Sequence, residues 1–289
     1  MTMTMSPRTL ISVEQLRELL SDRADVAIID TRFDLADPAA GERAWHAGHL
    51  PGSIYLHLDR DLCGATTDPK GAFRGRHPLP QRRAFAHTLA RCGIAPGTRV
   101  VALDDQGGVY ASRLWWMLRW MGHADVAVLD GGLAAWTGSG GALTTAQPTR
   151  AAAPDYPERP PLAATIDAAA LSQRLGTLAL VDARAGERFR GEVEPIDKAA
   201  GHIPGASNRF FKDNLGADGR FKAAEQLRAE FSALLGARPG DQVVHQCGSG
   251  VTACHNLLAM EHAGLHGTLL YPGSWSEWSS DPARPIATG

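Results

Sequence analysis

The residue types best suited to chemistry lie where an apolar run ends in a cysteine and a short glycine-rich segment follows. Residues 247–252 read Cys-Gly-Ser-Gly-Val-Thr. The two glycines let the backbone curl without Cβ clashes, so that successive amides can converge on one anion. Unpaired amides at a helix N-terminus favour a thiolate, which is the nucleophilic form of the thiol. We therefore predict that Cys247 is a reactive thiol.

The alternative is that Cys247 is a small buried apolar residue at a strand end, where packing alone explains it. The residues after it favour the reactive interpretation. Gly248, Ser249 and Gly250 add little to a core, but they suit an anion-binding loop.

The elements around Cys247 follow the order strand, loop, helix. Gln242–Gln246 is a predicted strand, and Val251–His262 has the apolar spacing of a helix that ends at Gly264. In parallel α/β sheets, ligands bind beyond the carboxyl ends of the strands. Cys247 occupies such a position.

The composition excludes several classes of protein. The chain has 289 residues, of which 44% are apolar and 21% are charged, and its net charge is −2. A near-neutral charge gives no field for nucleic acid or an anionic membrane, so we expect neither as a partner. Glu14, Arg17 and Glu18 interrupt the first apolar stretch, and no run is long enough for a membrane span. We expect a cytoplasmic protein.

The four cysteines have no Cys-x2-Cys spacing, so neither a zinc site nor a disulfide framework is expected.

The chain repeats one plan twice. An apolar strand that ends in Asp-x-Arg occurs at 30–32 and at 182–184, and a Gly-His-x-Pro-Gly motif follows each copy. The spacing that relates Trp136 to Trp278 also places Asp105 against Cys247. A carboxylate at that position would be satisfied by the loop amides, so we expect the first copy to be noncatalytic.

Strands such as Arg99–Leu103 alternate with helical stretches such as Tyr110–Met121. The alternation predicts an α/β fold of two tandem domains, each a parallel sheet with helices on both faces. The predicted domains are residues 1–140 and 162–289. A linker rich in Gly, Ala, Thr and Pro joins them at 141–161.

Taken together, the paired motifs, the loop at Cys247 and the Trp-containing segment Tyr271–Trp278 resemble the tandem-domain rhodanese family of sulfurtransferases. The resemblance implies that Cys247 takes a sulfur atom from a small-molecule donor, forms a persulfide and passes the sulfur to an acceptor. The acceptor would be cyanide, thioredoxin or another small thiol. No metal or organic cofactor is implied.

The loop is similar to that of the 3-mercaptopyruvate sulfurtransferases, whereas relatives that prefer thiosulfate carry Arg and Lys after the cysteine. Thiosulfate is a dianion that releases sulfite, which cationic side chains would stabilise. Gly248 and Ser249 supply no charge. We therefore predict 3-mercaptopyruvate as the donor, with thiosulfate as the alternative.

The resemblance also implies roles for residues outside the nucleophile. Arg188 would bind the donor carboxylate with its planar guanidinium. Lys198 stands near the place of a second arginine that this chain lacks before Gly201. Other implied residues are the donor-binding loop residues Gly248, Gly250, Val251 and Thr252, and a proton relay of Ser249 with His77 and Asp59 of the first domain.

Three other interpretations stay open. Arg184, Arg188 and Arg190 also fit an ordinary solvated basic run. A cysteine phosphatase would need an arginine six positions after the nucleophile, where this chain has Ala253. A noncatalytic sulfur-binding module is the remaining alternative, and cyanolysis would separate it from an enzyme.

Overall fold

The computed structural model describes residues 9–22 and 24–289. The chain divides into two compact units. One comprises the residues up to Leu62, Gln81–Leu162 and Asp218–Arg220, and the other comprises Cys63–Pro80, Ala163–Ala217 and Phe221–Gly289. The contiguous domain bounds given above stay a prediction. They differ from the compact units mainly in the segment 63–80, which belongs with the second unit.

The first unit is built on one parallel sheet. Within the described residues its strands are β1 (Leu10–Ile11), β2 (Val26–Asp30), β3 (Ile54–Tyr55), β4 (Arg99–Leu103) and β5 (Val126–Leu129). Their order in the sheet is β1-β5-β4-β2-β3, and every pair is parallel. The helices are α1 (Val13–Ser21), α2 (Ala40–Ala47), α3 (Leu58–Asp61), α4 (Arg82–Arg91), α5 (Ala111–Trp120) and α6 (Gly132–Gly138).

The second unit repeats the same sheet. Its strands are β6 (Ala164–Thr165), β7 (Ala179–Asp182), β8 (Ala206–Asn208), β9 (Val243–Gln246) and β10 (Leu269–Leu270). They pair in parallel in the order β6-β10-β9-β7-β8. The helices are α7 (Ala168–Gln173), α8 (Gly186–Phe189), α9 (Ala224–Leu235), α10 (Ala253–His262) and α11 (Ser274–Trp278), with 3-10 turns at Phe211–Asn214 and Gly240–Gln242.

Local sequence explains these elements. Ser12 and Gln15 form a capping box that starts α1. All five residues of β4 are buried, as expected for a central strand covered on both faces. The predicted α/β fold of two parallel sheets is confirmed.

The Asp-x-Arg motifs shape the sheets. Arg184 binds the Asp182 carboxylate at 2.7 Å and donates to the carbonyl of Gly201 at 2.8 Å. The first unit repeats the contact, since Arg32 binds Asp30 and the Gly48 carbonyl. Each arginine therefore ties the Gly-His-x-Pro-Gly segment to a strand end, which is a structural role.

Residues 141–161 contain no helix or strand, and they pack against the first unit. Ala153 donates its amide to the Ala90 carbonyl at 2.8 Å, and Arg150 donates to the Gly93 carbonyl. The segment has the irregular backbone that was predicted, but it is anchored along its length.

In the part of the chain that the structure describes, no helix is long and apolar enough to cross a membrane. Within the same residues, no group of three or more His, Cys, Asp or Glu side chains could hold a metal ion.

Candidate active site

Strand pairing places Cys247 at the carboxyl end of the second sheet. Asp182, the last residue of β7, lies opposite Gln246, the last residue of β9. Cys247 is the next residue, and it is buried, with 2% of its surface exposed. The position is the one that parallel α/β sheets use for ligands.

The segment after Cys247 turns an amide towards the sulfur. The amide of Gly250 donates to Sγ of Cys247 at 3.1 Å. Gly250 has φ of +80°, and a Cβ there would lie 2.4 Å from the carbonyl oxygen of Pro272, so the turn requires glycine. The amides of Gly248, Ser249, Val251 and Thr252 find no acceptor among the described residues. The Gly250 amide therefore stabilises negative charge on the sulfur, and four neighbouring amides of the loop keep unused donors.

The start of α11 holds the loop in this orientation. Trp275 and Ser276 donate their amides to the carbonyls of Cys247 and Gly248 at 3.0 and 2.9 Å. Ser274 accepts the Cys247 amide on its Oγ, and its φ of +54° is unusual for a residue with a Cβ. These contacts fix the backbone at Cys247 and Gly248.

The first unit shows what such a loop binds. Asp30 lies opposite Leu103, so the residue after β4 is Asp104. Its carboxylate accepts four backbone amides at 2.8–3.0 Å. The donors are Gln106, Gly108, Tyr110 and Ala111.

The expectation that Asp105 stands in the place of the thiol is therefore wrong. By strand register, Asp104 in the first sheet is the residue equivalent to Cys247 in the second sheet, and Asp105 is exposed. The first loop is one residue longer than the second before the helical alanines Ala111 and Ala253, which shifts the spacing by one.

His77 and Ser249 meet beside the loop. Nδ1 of His77 and Oγ of Ser249 lie 2.7 Å apart, and both side chains are buried. His77 belongs to the segment 63–80 and hence to the second unit. Two of the three relay residues suggested by the sequence are therefore in contact.

Two guanidinium groups flank Gly248. A Cβ on Gly248 would lie 2.8 Å from Nη2 of Arg76 and 3.6 Å from Nη1 of Arg188. Arg188 binds the carboxylate of Glu194 at 2.7 Å, and Arg76 binds that of Asp197 at 3.0 Å. Both acidic side chains are only 3% exposed.

The Glu194 carboxylate is held in its charged form. Burial raises its pKa, but the hydrogen bonds from Arg188 and from the amides of Asp197 and Ile196 outweigh burial, so the pKa is lowered overall. An ionised Glu194 keeps Arg188 oriented.

The other predicted residues differ in exposure and in their partners. Asp59 is exposed in α3 of the first unit, where its amide donates to Nδ1 of His57. Lys198 is exposed and forms no ion pair with the described residues. Arg184 is 3% exposed and carries the structural contacts given above, so the solvated interpretation is wrong for it. Arg190 is exposed and pairs with Glu192.

Sequence reasoning missed Arg76. Its neighbour His77 was singled out, and an arginine next to a candidate relay histidine was the available signal. Glu194 and Asp197 lie before Gly201, where the chain lacks the second arginine, and they bind Arg188 and Arg76.

The other buried cysteines differ from Cys247. Cys254 is fully buried in α10, and its Sγ donates to the Gly250 carbonyl at 3.4 Å. Burial raises the pKa of the Cys92 thiol to about 12. Both side chains fit the role of core residues.

Comparison with known proteins agrees with this geometry. The model of the rhodanese-like domain matches residues 12–139 and 167–281. A protein named probable 3-mercaptopyruvate sulfurtransferase from Pseudomonas aeruginosa is 50% identical over 99% of this chain and 100% of its own. A thiosulfate sulfurtransferase from Cricetulus griseus is 33% identical over 98% of this chain and 96% of its own. The structure of 3-mercaptopyruvate sulfurtransferase from Leishmania major superposes with a TM-score of 0.82 at 28% identity, covering 96% of this chain and 75% of that one. The chain belongs to the rhodanese family, as a tandem-domain sulfurtransferase.

Proposed function

We propose that the protein transfers sulfur from 3-mercaptopyruvate to a thiol or to cyanide through a persulfide on Cys247. One internal comparison carries the proposal. The first unit's loop binds the Asp104 carboxylate with four amides, whereas the second unit's loop has a sulfur at the equivalent position. A loop that stabilises a carboxylate suits a thiolate or persulfide anion equally well.

In the first step, the Cys247 thiolate attacks the sulfur of the donor. A new S–S bond forms, the donor C–S bond breaks, and its electron pair leaves as the enolate of pyruvate. The donor thiol proton stays on the outer sulfur or passes to solvent. The unpaired amides of Gly248, Ser249, Val251 and Thr252 would then stabilise the persulfide charge.

The enolate must gain a proton to become pyruvate, and Ser249 is placed to supply it. Its hydroxyl can deliver a proton to carbon while His77 restores it across the 2.7 Å contact. Arg188 would bind the donor carboxylate. The part of Asp59 in this relay stays a prediction.

In the second step, an acceptor attacks the outer sulfur and regenerates the Cys247 thiolate. Cyanide would leave as thiocyanate, and a small thiol or thioredoxin would leave as a persulfide. A cytoplasmic location is part of the proposal, because a reducing compartment keeps the nucleophile and the acceptor thiols reduced.

The deciding experiment measures kcat/KM for 3-mercaptopyruvate and for thiosulfate on one preparation, with cyanide as acceptor and thiocyanate as product. We expect the higher value with 3-mercaptopyruvate. Gly248 and Ser249 offer no charge to departing sulfite, and the two guanidinium groups beside Gly248 are already paired with the Asp197 and Glu194 carboxylates. A clear preference for thiosulfate would instead support the alternative. Absence of thiocyanate with both donors would indicate a binding module.

Ser249→Ala and His77→Gln should each lower kcat with 3-mercaptopyruvate by about 10- to 100-fold, with little change in KM. The double variant should lose no more than either single one, because the two residues act as a unit. Thiosulfate is the matched control, since sulfite leaves without needing a proton. Equal losses with both donors would show that the pair only supports the loop.

A further inference from the structure

Arg76 enters the site from a segment that is distant in sequence from the other residues around the nucleophile. Its amide donates to Oγ of Ser276 at 3.1 Å, and the Ser276 amide donates to the carbonyl of Gly248 at 2.9 Å. The backbone of Arg76 is therefore fastened to the element that orients the loop. Its guanidinium reaches the same glycine as that of Arg188.

One carboxylate orients both guanidinium groups. Asp197 accepts Nε of Arg76 at 3.0 Å, and its Oδ2 accepts Nη2 of Arg76 at 3.3 Å and Nη2 of Arg188 at 3.2 Å. Glu194 completes the set by binding Arg188. Nη1 of each arginine makes no hydrogen bond to the described residues, so each keeps donors for a ligand.

The charges of this cluster balance. The guanidinium groups of Arg76 and Arg188 face two carboxylates that are almost fully buried. Nη1 of Arg184 also lies 3.4 Å from Oε2 of Glu194, but Arg184 is paired with Asp182, so the balance is unchanged. A ligand therefore meets directed N–H donors but little net positive charge. Such a site suits one carboxylate, which gains hydrogen bonds from the Nη1 groups of the two arginines, and gives little extra stabilisation to a second negative charge.

We propose that Arg76 and Arg188, held in place by Asp197 and Glu194, form a two-guanidinium site that selects a donor with one carboxylate over a dianionic donor. The proposal deepens the function given above and rests on it. It assigns donor binding to Arg76, and it makes Asp197 a positioning residue that also sets the charge of the site.

The first test replaces Arg76. Arg76→Met should lower kcat/KM for 3-mercaptopyruvate about 10- to 100-fold, mainly by raising KM, since a charge-assisted hydrogen bond to the carboxylate is lost. Arg76→Lys should restore part of the loss, because it keeps the charge without the fork. Arg190→Met is the matched control, since Arg190 forms an exposed pair with Glu192. It should leave both constants unchanged.

The second test changes only the charge. Asp197→Asn keeps the shape of the side chain but leaves the cluster with one net positive charge. Since a dianion gains about twice as much from that charge as a monoanion, the ratio of kcat/KM for thiosulfate to that for 3-mercaptopyruvate should rise about 10-fold. Glu192→Gln, in the exposed pair, should leave the ratio unchanged. A structural fault would lower kcat/KM for both donors together and would not raise the ratio of thiosulfate to 3-mercaptopyruvate.

The outcomes separate the two proposals. If the wild type turns over 3-mercaptopyruvate and Arg76→Met has the same kcat/KM as Arg190→Met, the assignment of Arg76 to the donor site is overturned. The proposed function is then unaffected. An unchanged or reduced ratio in Asp197→Asn would overturn the charge-based selection. A wild-type protein that does not use 3-mercaptopyruvate would overturn both.

Discussion

Cys247→Ser should abolish sulfur transfer, with a loss of about 1,000-fold or more in kcat for either donor. A serine hydroxyl is not ionised near neutral pH, and oxygen cannot carry the transferred sulfur as a persulfide. The fold should persist, because serine is nearly the same size and its Oγ can accept the Gly250 amide that now binds Sγ. The measurement is thiocyanate formation, with the melting temperature recorded in parallel.

Cys254→Ser is the matched control. Cys254 lies in the next helix, and its Sγ donates to the Gly250 carbonyl, a bond that a serine hydroxyl can also make, so turnover should remain. Mass spectrometry after donor treatment should find one added sulfur in the wild type and in this control, and none in Cys247→Ser. Retained turnover in Cys247→Ser would identify a different cysteine as the carrier.

Asp104→Ala should destabilise the first unit by about 3–5 kcal/mol. Asp104 is fully buried, and its removal leaves four backbone amides without their acceptor, each of which costs free energy when it stays unpaired. Urea unfolding would measure the change. Asp105→Asn, at the exposed neighbour, should lie within about 0.5 kcal/mol of the wild type.

The vacated loop offers a second readout for Asp104→Ala. The four amides released by the substitution form a cradle for a small anion, so millimolar sulfate should raise the melting temperature of this variant more than that of the wild type. Equal stability of the Asp104 and Asp105 variants would contradict the role given to the carboxylate. An identical response to sulfate in the variant and the wild type would contradict the cradle.

Much of the architecture could be predicted from the sequence because it depends on local patterns. β4 has the predicted bounds, and α10 ends at the predicted His262. The repeated Asp-x-Arg motif marks equivalent strands, since each arginine binds the aspartate two residues before it. Such contacts are encoded within a few residues.

The loop of the first copy could not be predicted from local sequence patterns. Its extra residue could not be located by matching glycines, because short glycine-rich segments align equally well in two registers. The pairing of Asp30 with Leu103 decides the register and identifies Asp104. Strand pairing is a long-range contact, which no local pattern reports.

The cluster of Arg76, Arg188, Glu194 and Asp197 could not be predicted from the sequence for the same reason. Arg76 and Asp197 are far apart in sequence, and only the folded chain brings their side chains together. The acidic residues before Gly201 are a departure from the family pattern in sequence, but in the structure they orient the cations of the site.

Segment 63–80 is encoded in the first half of the gene but belongs with the second compact unit, which matters for how the two halves could be separated. A fragment severed at residues 141–161 would encode the nucleophile without His77 and Arg76, which lie in the second compact unit but are encoded in the first half of the gene. Neither half is thus a self-sufficient module for recombination. The second unit keeps His77 and Arg76 only when both halves of the gene are inherited together.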